Sequence, residues 1–320
     1  MSTQSPTLNV SILSEDASAL AEEIANAWPT PNTLHICQAV TTSKQINPDE
    51  VEVLLADPNL AAKVIDRCSG LKWCQSTWAG NAPLLNLDKS DYILTGVKGV
   101  FGKLMREYVF AYLLQYARNI PAFAHNQNHQ PPIWEESPRA PLTGKTLGIL
   151  GAGSIAQALI PVAKSFEMKV IGLSRSGQAV EGFDNVYAAT DLLKFAQEVD
   201  HVVNLMPDTP ATTGVLDQTF FEALKPHSVF INAGRGSAIV DDALLNALDT
   251  GQLQAAVLDV FTQEPLPEHH PFWSHPKVVV TAHTAAVSSP EDVAGVFVTN
   301  ATRYMTSEPL LYQFDFNKGY

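Results

Sequence analysis

The sequence has 320 residues, of which 46% are hydrophobic, and its 20 basic and 33 acidic residues give a formal net charge of −13 at pH 7. This length exceeds one ordinary α/β core, so we expect two domains. The negative balance argues against nucleic acid or an anionic membrane surface as a partner, because both require a positive footprint. No apolar run is long enough to span a membrane, and we recognise no signal peptide.

The three cysteines, Cys37, Cys68 and Cys74, are odd in number and lack the spacing of a metal site. We therefore expect small buried side chains in a reducing compartment, and a cytoplasmic protein.

The first hundred residues predict a small parallel α/β unit. Strand patterns at 8–13, 34–39, 51–56 and 71–75 alternate with helical patterns that begin near Ala17 and Pro58. The last strand leads into the turn-rich stretch Ser76-Thr-Trp-Ala-Gly-Asn-Ala82. Ligands bind open α/β sheets beyond the carboxyl ends of the strands, where the amides of Ala79 and Gly80 can hold a carboxylate. A plain glycine turn is the alternative.

An amphipathic helix pattern covers 100–119 and should stop at Pro121. The next segment, 125–134, is polar and contains prolines, which predicts an irregular arm. Trp134 stands out in this arm because a large apolar ring in hydrophilic surroundings usually covers a neighbouring surface. That surface belongs either to the same chain or to a partner subunit, and we favour the partner.

A second α/β unit begins at Thr146-Leu-Gly-Ile-Leu-Gly-Ala-Gly-Ser-Ile-Ala156. A buried-strand pattern breaks at Gly151 and a helix follows from Ser154, which is the context of a dinucleotide fingerprint. Gly151 permits the tight turn, Gly153 lets a pyrophosphate approach, and Ala156 lets the helix pack against its strand. The helix N-terminus then supplies an anion site. A glycine turn of no special function is the alternative.

The pattern after the next strand, 168–173, indicates which dinucleotide binds. In NAD sites an acidic residue ~20 residues beyond the glycines accepts hydrogen bonds from the ribose hydroxyl. This chain has Ser174, Arg175 and Ser176 there. A guanidinium and two hydroxyls favour a 2′-phosphate, so we predict that NADP(H) is preferred and NAD(H) is accepted. A solvated surface arginine is the alternative.

The remaining strand patterns lie at 201–205, 229–232, 255–258 and 278–281, with helical patterns at 191–198, 217–224 and 241–248. They complete a doubly wound sheet. Loops with chemically active residues follow these strands, namely Met206-Pro-Asp-Thr209, Ala233-Gly-Arg-Gly236, Asp259-Val-Phe-Thr-Gln-Glu264 and Ala282-His-Thr-Ala285. Pro161 should kink the helix that follows the fingerprint. A last helix, 289–305, leads to a tail that can return to the first unit.

These motifs resemble those of the D-2-hydroxyacid dehydrogenase family, in order and spacing, over essentially the whole chain. The residues that carry the resemblance are Gly151-Ala-Gly-Ser-Ile-Ala156, Asn232-Ala-Gly-Arg-Gly236, Leu258-Asp-Val-Phe-Thr-Gln-Glu-Pro-Leu266 and Thr281-Ala-His-Thr-Ala285. Ser174–Ser176 and the Gln75–Gly80 loop are similar to those of NADPH-dependent glyoxylate/hydroxypyruvate reductases. Two positions depart from the common pattern: Ala156 replaces the third glycine, and Asn81 stands where a hydrophobic residue is frequent.

The resemblance implies a Rossmann-type doubly wound parallel sheet for the dinucleotide, formed by residues 99–287. It also implies a smaller, discontinuous, flavodoxin-like substrate domain formed by residues 1–98 plus 288–320. The family assembles as homodimers, which implies a dimerisation arm near 120–140.

The activity that the resemblance implies is NADPH-dependent reduction of small 2-keto acids, such as glyoxylate and hydroxypyruvate. His283 would be the general acid, because histidine is the side chain that titrates near neutral pH. Glu264 would hydrogen-bond the other ring nitrogen and orient the ring. Arg235 would clamp the substrate carboxylate and keto oxygen with its planar fork.

The candidate site residues fall into three sets. The catalytic set is Arg235, Glu264 and His283. The cofactor set is Gly151, Gly153, Ser154, Ile155, Ser174, Arg175, Ser176, Met206, Pro207, Ala233, Asp259, His283 and Ala285. The substrate set is Trp78, Ala79, Gly80, Arg235 and His283. We expect no metal, since His269, His270 and His275 lie in a proline-rich loop without ligand spacing.

Two other functions stay open at this point. One is a reductase for a bulkier 2-keto acid, with Trp78 and Trp134 as candidate walls of the pocket. The other is a dinucleotide-sensing interaction protein on the same fold, which a test for turnover would separate from an enzyme.

Overall fold

The computed structural model describes residues 7–136 and 140–316. The strands are β1 (Leu8–Leu13), β2 (Leu34–Val40), β3 (Val53–Ala56), β4 (Trp73–Ser76), β5 (Ile93–Thr95), β6 (Thr146–Leu150), β7 (Lys169–Ser174), β8 (Asn185–Ala188), β9 (His201–Asn204), β10 (Ser228–Asn232), β11 (Leu253–Leu258) and β12 (Val278–Val280). The α-helices are α1 (Ala17–Ala27), α2 (Pro58–Ala61), α3 (Ala82–Leu85), α4 (Gly102–Ala117), α5 (Ile120–Asn128), α6 (Ser154–Ser165), α7 (Leu192–Glu198), α8 (Gln218–Ala223), α9 (Asp241–Asp249) and α10 (Pro290–Met305). None of these helices is long and apolar enough to cross a membrane.

The chain divides into two compact units, one formed by Met1–Val100 with Ser288–Tyr320 and the other by Phe101–Val287. The first unit contains a five-stranded parallel sheet in the order β2-β1-β3-β4-β5. This is the order of flavodoxin-like sheets. All residues of β3 and β4 are buried, as expected for parallel strands that are covered on both faces.

The tail of the chain runs along the outer strand of this first sheet. The backbone N–H of Phe314 donates to the carbonyl of Leu94 (2.9 Å), and the N–H of Gly96 donates to the carbonyl of Tyr312 (3.0 Å). These bonds satisfy part of the free edge of β5, which would otherwise expose unpaired backbone groups.

The second unit contains a seven-stranded parallel sheet in the order β12-β11-β10-β9-β6-β7-β8. Counted from β6, this is the Rossmann order with a seventh strand added beyond β11. The strand order reverses between β6 and β9, so the ligand crevice of such a sheet lies next to Gly151, directly after β6. The predicted fold class, with a flavodoxin-like and a Rossmann-type sheet, is confirmed.

The predicted arm differs from the structure in its first half. The preceding helix, α4, ends at Ala117, before Pro121 as expected, but a new helix, α5 (Ile120–Asn128), follows and includes Pro121 in its first turn. A proline is accommodated there because the N–H groups of the first turn have no partner inside the helix. The arm is irregular only from His129 onward.

Other differences are smaller. The sequence did not predict the short elements β5, β8 and α3, which have three or four residues each. Elements of this length are too short to establish a hydrophobic period. Pro161 lies on the exposed side of α6, and the helix continues beyond it to Ser165. Cys68 and Cys74 are buried, as expected, whereas Cys37 on the edge strand β2 is half-buried.

Candidate active site

The glycine turn after β6 has the geometry that a dinucleotide requires. Gly151 has a φ of +100°, and a Cβ there would lie 2.9 Å from the carbonyl oxygen of Leu205, so only glycine fits. Gly153 is the N-cap of α6 and provides no side-chain cap. A Cβ on Gly153 would meet nothing within 4 Å. The first turn of α6, which begins with Ser154 and Ile155, therefore faces open space, and this space suits a pyrophosphate.

The loop after β7 carries the residues predicted to select the dinucleotide. Its turn is tight, since the N–H of Gly177 donates to the Ser174 hydroxyl (3.1 Å) and Gly177 has a φ of +69°. The N–H of Gln178 donates to the Ser176 hydroxyl (3.4 Å). Arg175 is exposed at this turn. The loop thus presents a cation and two hydroxyls beyond the carboxyl end of β7.

The loops after β9 and β10 pack against each other beside the glycine turn. The N–H of Ala233 donates to the carbonyl of Asn204 (3.1 Å), and a Cβ on Gly234 would lie 2.9 Å from the backbone nitrogen of Met206. Met206 is buried and Pro207 is exposed. Both loops therefore lie at the edge of the sheet where the predicted cofactor would bind.

His283 and Glu264 form a hydrogen-bonded pair. Nδ1 of His283 lies 2.8 Å from Oε2 of Glu264. The other carboxylate oxygen accepts the backbone N–H of Phe261 (2.9 Å), which fixes the orientation of the carboxylate. Within the described part of the chain, Nε2 of His283 has no hydrogen-bond partner, and the side chain is 56% exposed. This nitrogen is therefore available for a ligand.

Asp259 holds the loop that carries His283. Its buried carboxylate accepts hydrogen bonds from the Thr281 hydroxyl (2.5 Å) and from the backbone N–H groups of Thr284 (2.8 Å) and Ala285 (3.0 Å). The N–H of His283 donates to the carbonyl of Asp259 (2.8 Å). The Asp259 carboxylate, which was predicted to contact the cofactor, thus accepts hydrogen bonds from the loop that carries His283.

Tyr108 on α4 also supports the loop that carries His283. The sequence offered no signal for this contact. Its hydroxyl lies 2.9 Å from the Thr281 hydroxyl. Burial raises the pKa of the Tyr108 hydroxyl, a nearby Asp259 raises it further, and the bond to Thr281 partly opposes the shift. Tyr108 therefore stays neutral and acts as a hydrogen-bonding support for the loop.

Arg235 follows β10 and is mostly buried. Its Nη1 donates to the carbonyl of Gly234 (2.6 Å), and no carboxylate among the described residues lies within ion-pair distance. Burial lowers the pKa of the guanidinium, while the more distant Asp208 and Glu264 raise it. A mostly buried cation with spare donors is suited to bind a carboxylate from outside the chain.

The Arg235 loop and the Glu264 loop are in direct contact. A Cβ on Gly236 would lie only 2.0 Å from the backbone carbon of Phe261, so the two chain segments approach as closely as glycine allows. The structure therefore brings together the loops of all three predicted catalytic residues, since Glu264 also bonds His283.

The predicted substrate loop lies in the first unit, after β4. The N–H of Trp78 donates to the Ser76 hydroxyl (3.0 Å), and the Trp78 ring is 41% exposed. Ala79 is exposed and Gly80 is half-buried. Asn81 is buried, and neither polar atom of its side chain has a partner in the described chain.

Two of the histidines of the proline-rich loop lie next to carboxylates. Nε2 of His270 lies 3.3 Å from Asp241, and Nε2 of His275 lies 3.2 Å from Asp249. In residues 7–136 and 140–316, no group of three or more His, Cys, Asp or Glu residues could hold a metal ion.

A dinucleotide turn, a paired histidine and an arginine with spare donors together define a nicotinamide-dependent oxidoreductase. Residues 110–285 match the family model "D-isomer specific 2-hydroxyacid dehydrogenase, NAD binding domain", and the chain belongs to this family. The match confirms the resemblance drawn from the motifs, the oxidoreductase class and the nicotinamide-dinucleotide domain.

Individual proteins with a known name or a solved structure are also similar to this chain. Glyoxylate/hydroxypyruvate reductase A of Serratia proteamaculans is 37% identical over 215 residues, which are 67% of this chain and 65% of that protein. A family protein from Aeromonas salmonicida is similar in structure, with a TM-score of 0.89 and 39% identity over 98% of this chain and all of that one. The NADPH-dependent glyoxylate/hydroxypyruvate reductase of Sinorhizobium meliloti, solved with NADP and sulfate, has a TM-score of 0.85 and 29% identity over 99% of this chain and all of that one.

Proposed function

We propose that this chain reduces small 2-keto acids, such as glyoxylate and hydroxypyruvate, to 2-hydroxy acids with NADPH. The observation that carries the proposal is the mostly buried guanidinium of Arg235, which has no ion-pair partner among the described residues and adjoins the loop of the Glu264–His283 pair. A 2-keto acid offers a carboxylate for the first group and a carbonyl oxygen for the second. The names of the Serratia and Sinorhizobium relatives support the same substrates.

The chain's own residues bind the substrate and supply the proton. The planar fork of Arg235 binds the substrate carboxylate and polarises the keto oxygen. Nε2 of His283 carries the proton that the oxygen receives, and Glu264 holds Nδ1 so that the ring points correctly. A reduced nicotinamide dinucleotide held at the Gly151–Gly153 turn would supply the hydride. The hydride and the proton together would convert the carbonyl into an alcohol.

The remaining candidates act on binding and positioning. The open turn at Gly153 fits a pyrophosphate, because a Cβ added there would meet no atom of the described residues within 4 Å. Asp259 supports the cofactor edge of the sheet by holding the His283 loop in place. The Trp78–Gly80 loop of the first unit is assigned to the substrate carboxylate on the family resemblance.

The decisive experiment is the initial rate of nicotinamide oxidation with glyoxylate and with hydroxypyruvate, each with NADPH and with NADH. We expect turnover with both acids and a roughly ten- to hundredfold preference for NADPH, the effect of one charge-assisted phosphate contact. Turnover only with larger 2-keto acids would favour the bulkier-substrate reductase. No turnover with any keto acid would favour the dinucleotide sensor.

The cofactor preference is tested at Arg175. Arg175→Ala should raise the KM for NADPH about tenfold or more and change that for NADH little, because only NADPH carries the 2′-phosphate. Lys169→Ala is the matched control, since Lys169 is an exposed cation at the other end of β7. An equal increase in the KM for both cofactors would show that Arg175 does not contact the 2′-phosphate.

The homodimer, the cytoplasmic location and the absence of a nucleic-acid partner remain predictions from the sequence.

A further inference from the structure

Asp57 carries a buried carboxylate that the proposed reaction does not use. It follows β3 directly, is 6% exposed, and has no cation within ion-pair distance in the described chain. Its Oδ1 accepts the hydroxyls of Ser14 (2.9 Å) and Thr77 (2.5 Å), and its Oδ2 accepts the backbone N–H of Glu15 (2.8 Å). Three donors offset the cost of removing the carboxylate from water.

The direction of this side chain is unexpected for its position. Asp57 is the N-cap of α2, where an aspartate commonly accepts an N–H of its own helix, but its side chain makes no such bond. The carboxylate turns instead toward the chain after β1 and after β4. The three strands β1, β3 and β4 are neighbours in the sheet, so Asp57 ties their carboxyl ends together.

Thr77 connects this anchor to the substrate loop. Besides the bond to Asp57, its N–H donates to the carbonyl of Ala56 (3.0 Å), and its carbonyl accepts the Ser288 hydroxyl (3.0 Å). At the other end of the loop, the carbonyl of Asn81 accepts the N–H groups of Leu84 and Leu85. The segment Trp78–Gly80 is therefore held at both of its ends.

We propose that Asp57 is a positioning residue for substrate binding, because its carboxylate fixes Thr77 and thereby the amides of the Trp78–Gly80 loop. The inference rests on the proposed assignment of this loop to the substrate carboxylate. Asp57 touches neither substrate nor cofactor in this role. Its effect is on how well the loop amides are preorganised before the substrate arrives.

The test compares Thr77→Val with Thr77→Ser. Valine keeps the shape but removes the hydroxyl bond to Asp57, so the KM for the keto acid should rise roughly tenfold, the value of one hydrogen bond to a charged group. The kcat and the Kd of NADPH should change by less than about threefold, because Arg235, His283 and the cofactor turn keep their own anchors. Serine retains the hydroxyl and should restore the KM. Asp57→Asn should act like Thr77→Val.

Hydrogen–deuterium exchange of the peptide that covers residues 76–82 measures how well the loop amides are held in the absence of substrate. We expect faster exchange in Thr77→Val and in Asp57→Asn. Asp200→Asn is the matched control, since Asp200 is another carboxylate that accepts a backbone N–H, from Thr146 in the other unit (2.9 Å). It should lower the melting temperature without changing either the exchange of the loop or the KM.

The outcomes separate the two proposals. Faster exchange with a raised KM and an unchanged Kd of NADPH supports the role of Asp57. Unchanged exchange would show that Asp57 does not hold the loop, whether or not the enzyme reduces keto acids. Faster exchange with an unchanged KM shows that the loop does not bind the substrate, and this removes the positioning role while the reductase activity stands.

Discussion

His283 occupies a left-handed backbone conformation, with a φ of 55°. This conformation is uncommon for a residue with a side chain and costs roughly 1–3 kcal/mol when the surroundings enforce it. The four hydrogen bonds that Asp259 makes to the chain around His283 stabilise it. The strained residue is therefore the one with the proposed proton, which is where such strain usually occurs.

The first prediction concerns the His283–Glu264 pair as one unit. His283→Gln should lower kcat by roughly 10²–10⁴-fold, because proton transfer loses its donor. Glu264→Gln should lower it less, and the double variant should be no slower than His283→Gln alone, since residues that act together are not additive. Steady-state kinetics with saturating NADPH measure this.

A matched control is available in the same unit. His275 also lies near a carboxylate, with Nε2 3.2 Å from Asp249, but it is placed outside the proposed site. His275→Gln should leave kcat unchanged. Independent, multiplying losses in the double variant of His283 and Glu264 would argue against a shared role.

At the scale of elements, the turn between β6 and α6 contains two glycines, and each is required for a different reason. Gly151 is required by the fold, because of its positive φ and its close approach to Leu205. Gly153 has an ordinary φ of −92° and no neighbour within 4 Å of an added Cβ. The fold therefore does not require glycine at position 153, whereas an approaching pyrophosphate does.

The second prediction follows from this difference. Gly151→Ala should lower the free energy of unfolding by about 1–3 kcal/mol. Gly153→Ala should keep the melting temperature but weaken NADPH binding at least about tenfold, because its methyl group would fill the space before α6. Thermal denaturation and fluorescence titration measure the two effects. Normal NADPH affinity in Gly153→Ala would move the pyrophosphate away from this turn.

The start of β9 makes stability dependent on pH. Nδ1 of His201 accepts the backbone N–H of Val229 (3.3 Å), and burial lowers the pKa of His201 from 6.5 to about 4, although Asp200 partly opposes the shift. Between these two values the unfolded chain binds the proton and the folded chain does not. Stability is therefore fully present above pH 6.5 and is lost as the pH falls toward 4.

The third prediction is that His201→Asn flattens this dependence. The asparagine oxygen can accept the Val229 N–H but takes up no proton. Chemical denaturation should show that the wild type loses on the order of 2–3 kcal/mol more than the variant between neutral pH and pH 4. Parallel pH profiles for the two proteins would show that His201 is protonated equally in the folded and unfolded chain.

At the scale of the whole molecule, the arm presents apolar side chains to solvent. Trp134 is 103% exposed, and Ile120, Phe123 and Ile133 are 53%, 47% and 38% exposed. Several large apolar side chains exposed within one short segment usually mark an interface. A second copy of the chain is the partner that the family resemblance implies.

The fourth prediction is that Trp134→Ala weakens a homodimer. Light scattering after size exclusion should show a dimer for the wild type and a larger monomer fraction for the variant, since aromatic anchors carry much of an interface's energy. Trp273→Ala is the control, because Trp273 is also exposed (54%) but its Nε1 bonds the carbonyl of Pro267 in its own chain. A monomeric wild type would reject the prediction.

The sequence by itself determined most of the strands and helices and the loops with chemical function. The boundaries of β1 and α1 agree with their patterns, and the turn at Gly151–Gly153 was recognisable because glycine at a strand–helix junction is a local signal. The catalytic candidates Arg235, Glu264 and His283 were named from the family resemblance, and each of them follows a strand. The order of parallel strands then places such residues at one edge of the sheet.

Only the tertiary structure decided which side chains hold these loops. Asp57 lies 43 residues from Ser14, and Tyr108 lies 173 residues from Thr281. The sequence predicts a helix that begins near Pro58, but no local signal indicates that the carboxylate of the preceding Asp57 faces two other strand ends. Periodicity and turn chemistry report on neighbours within a few residues. Hydrogen bonds between strand ends depend on which strands are adjacent, and that is settled only when the sheet assembles.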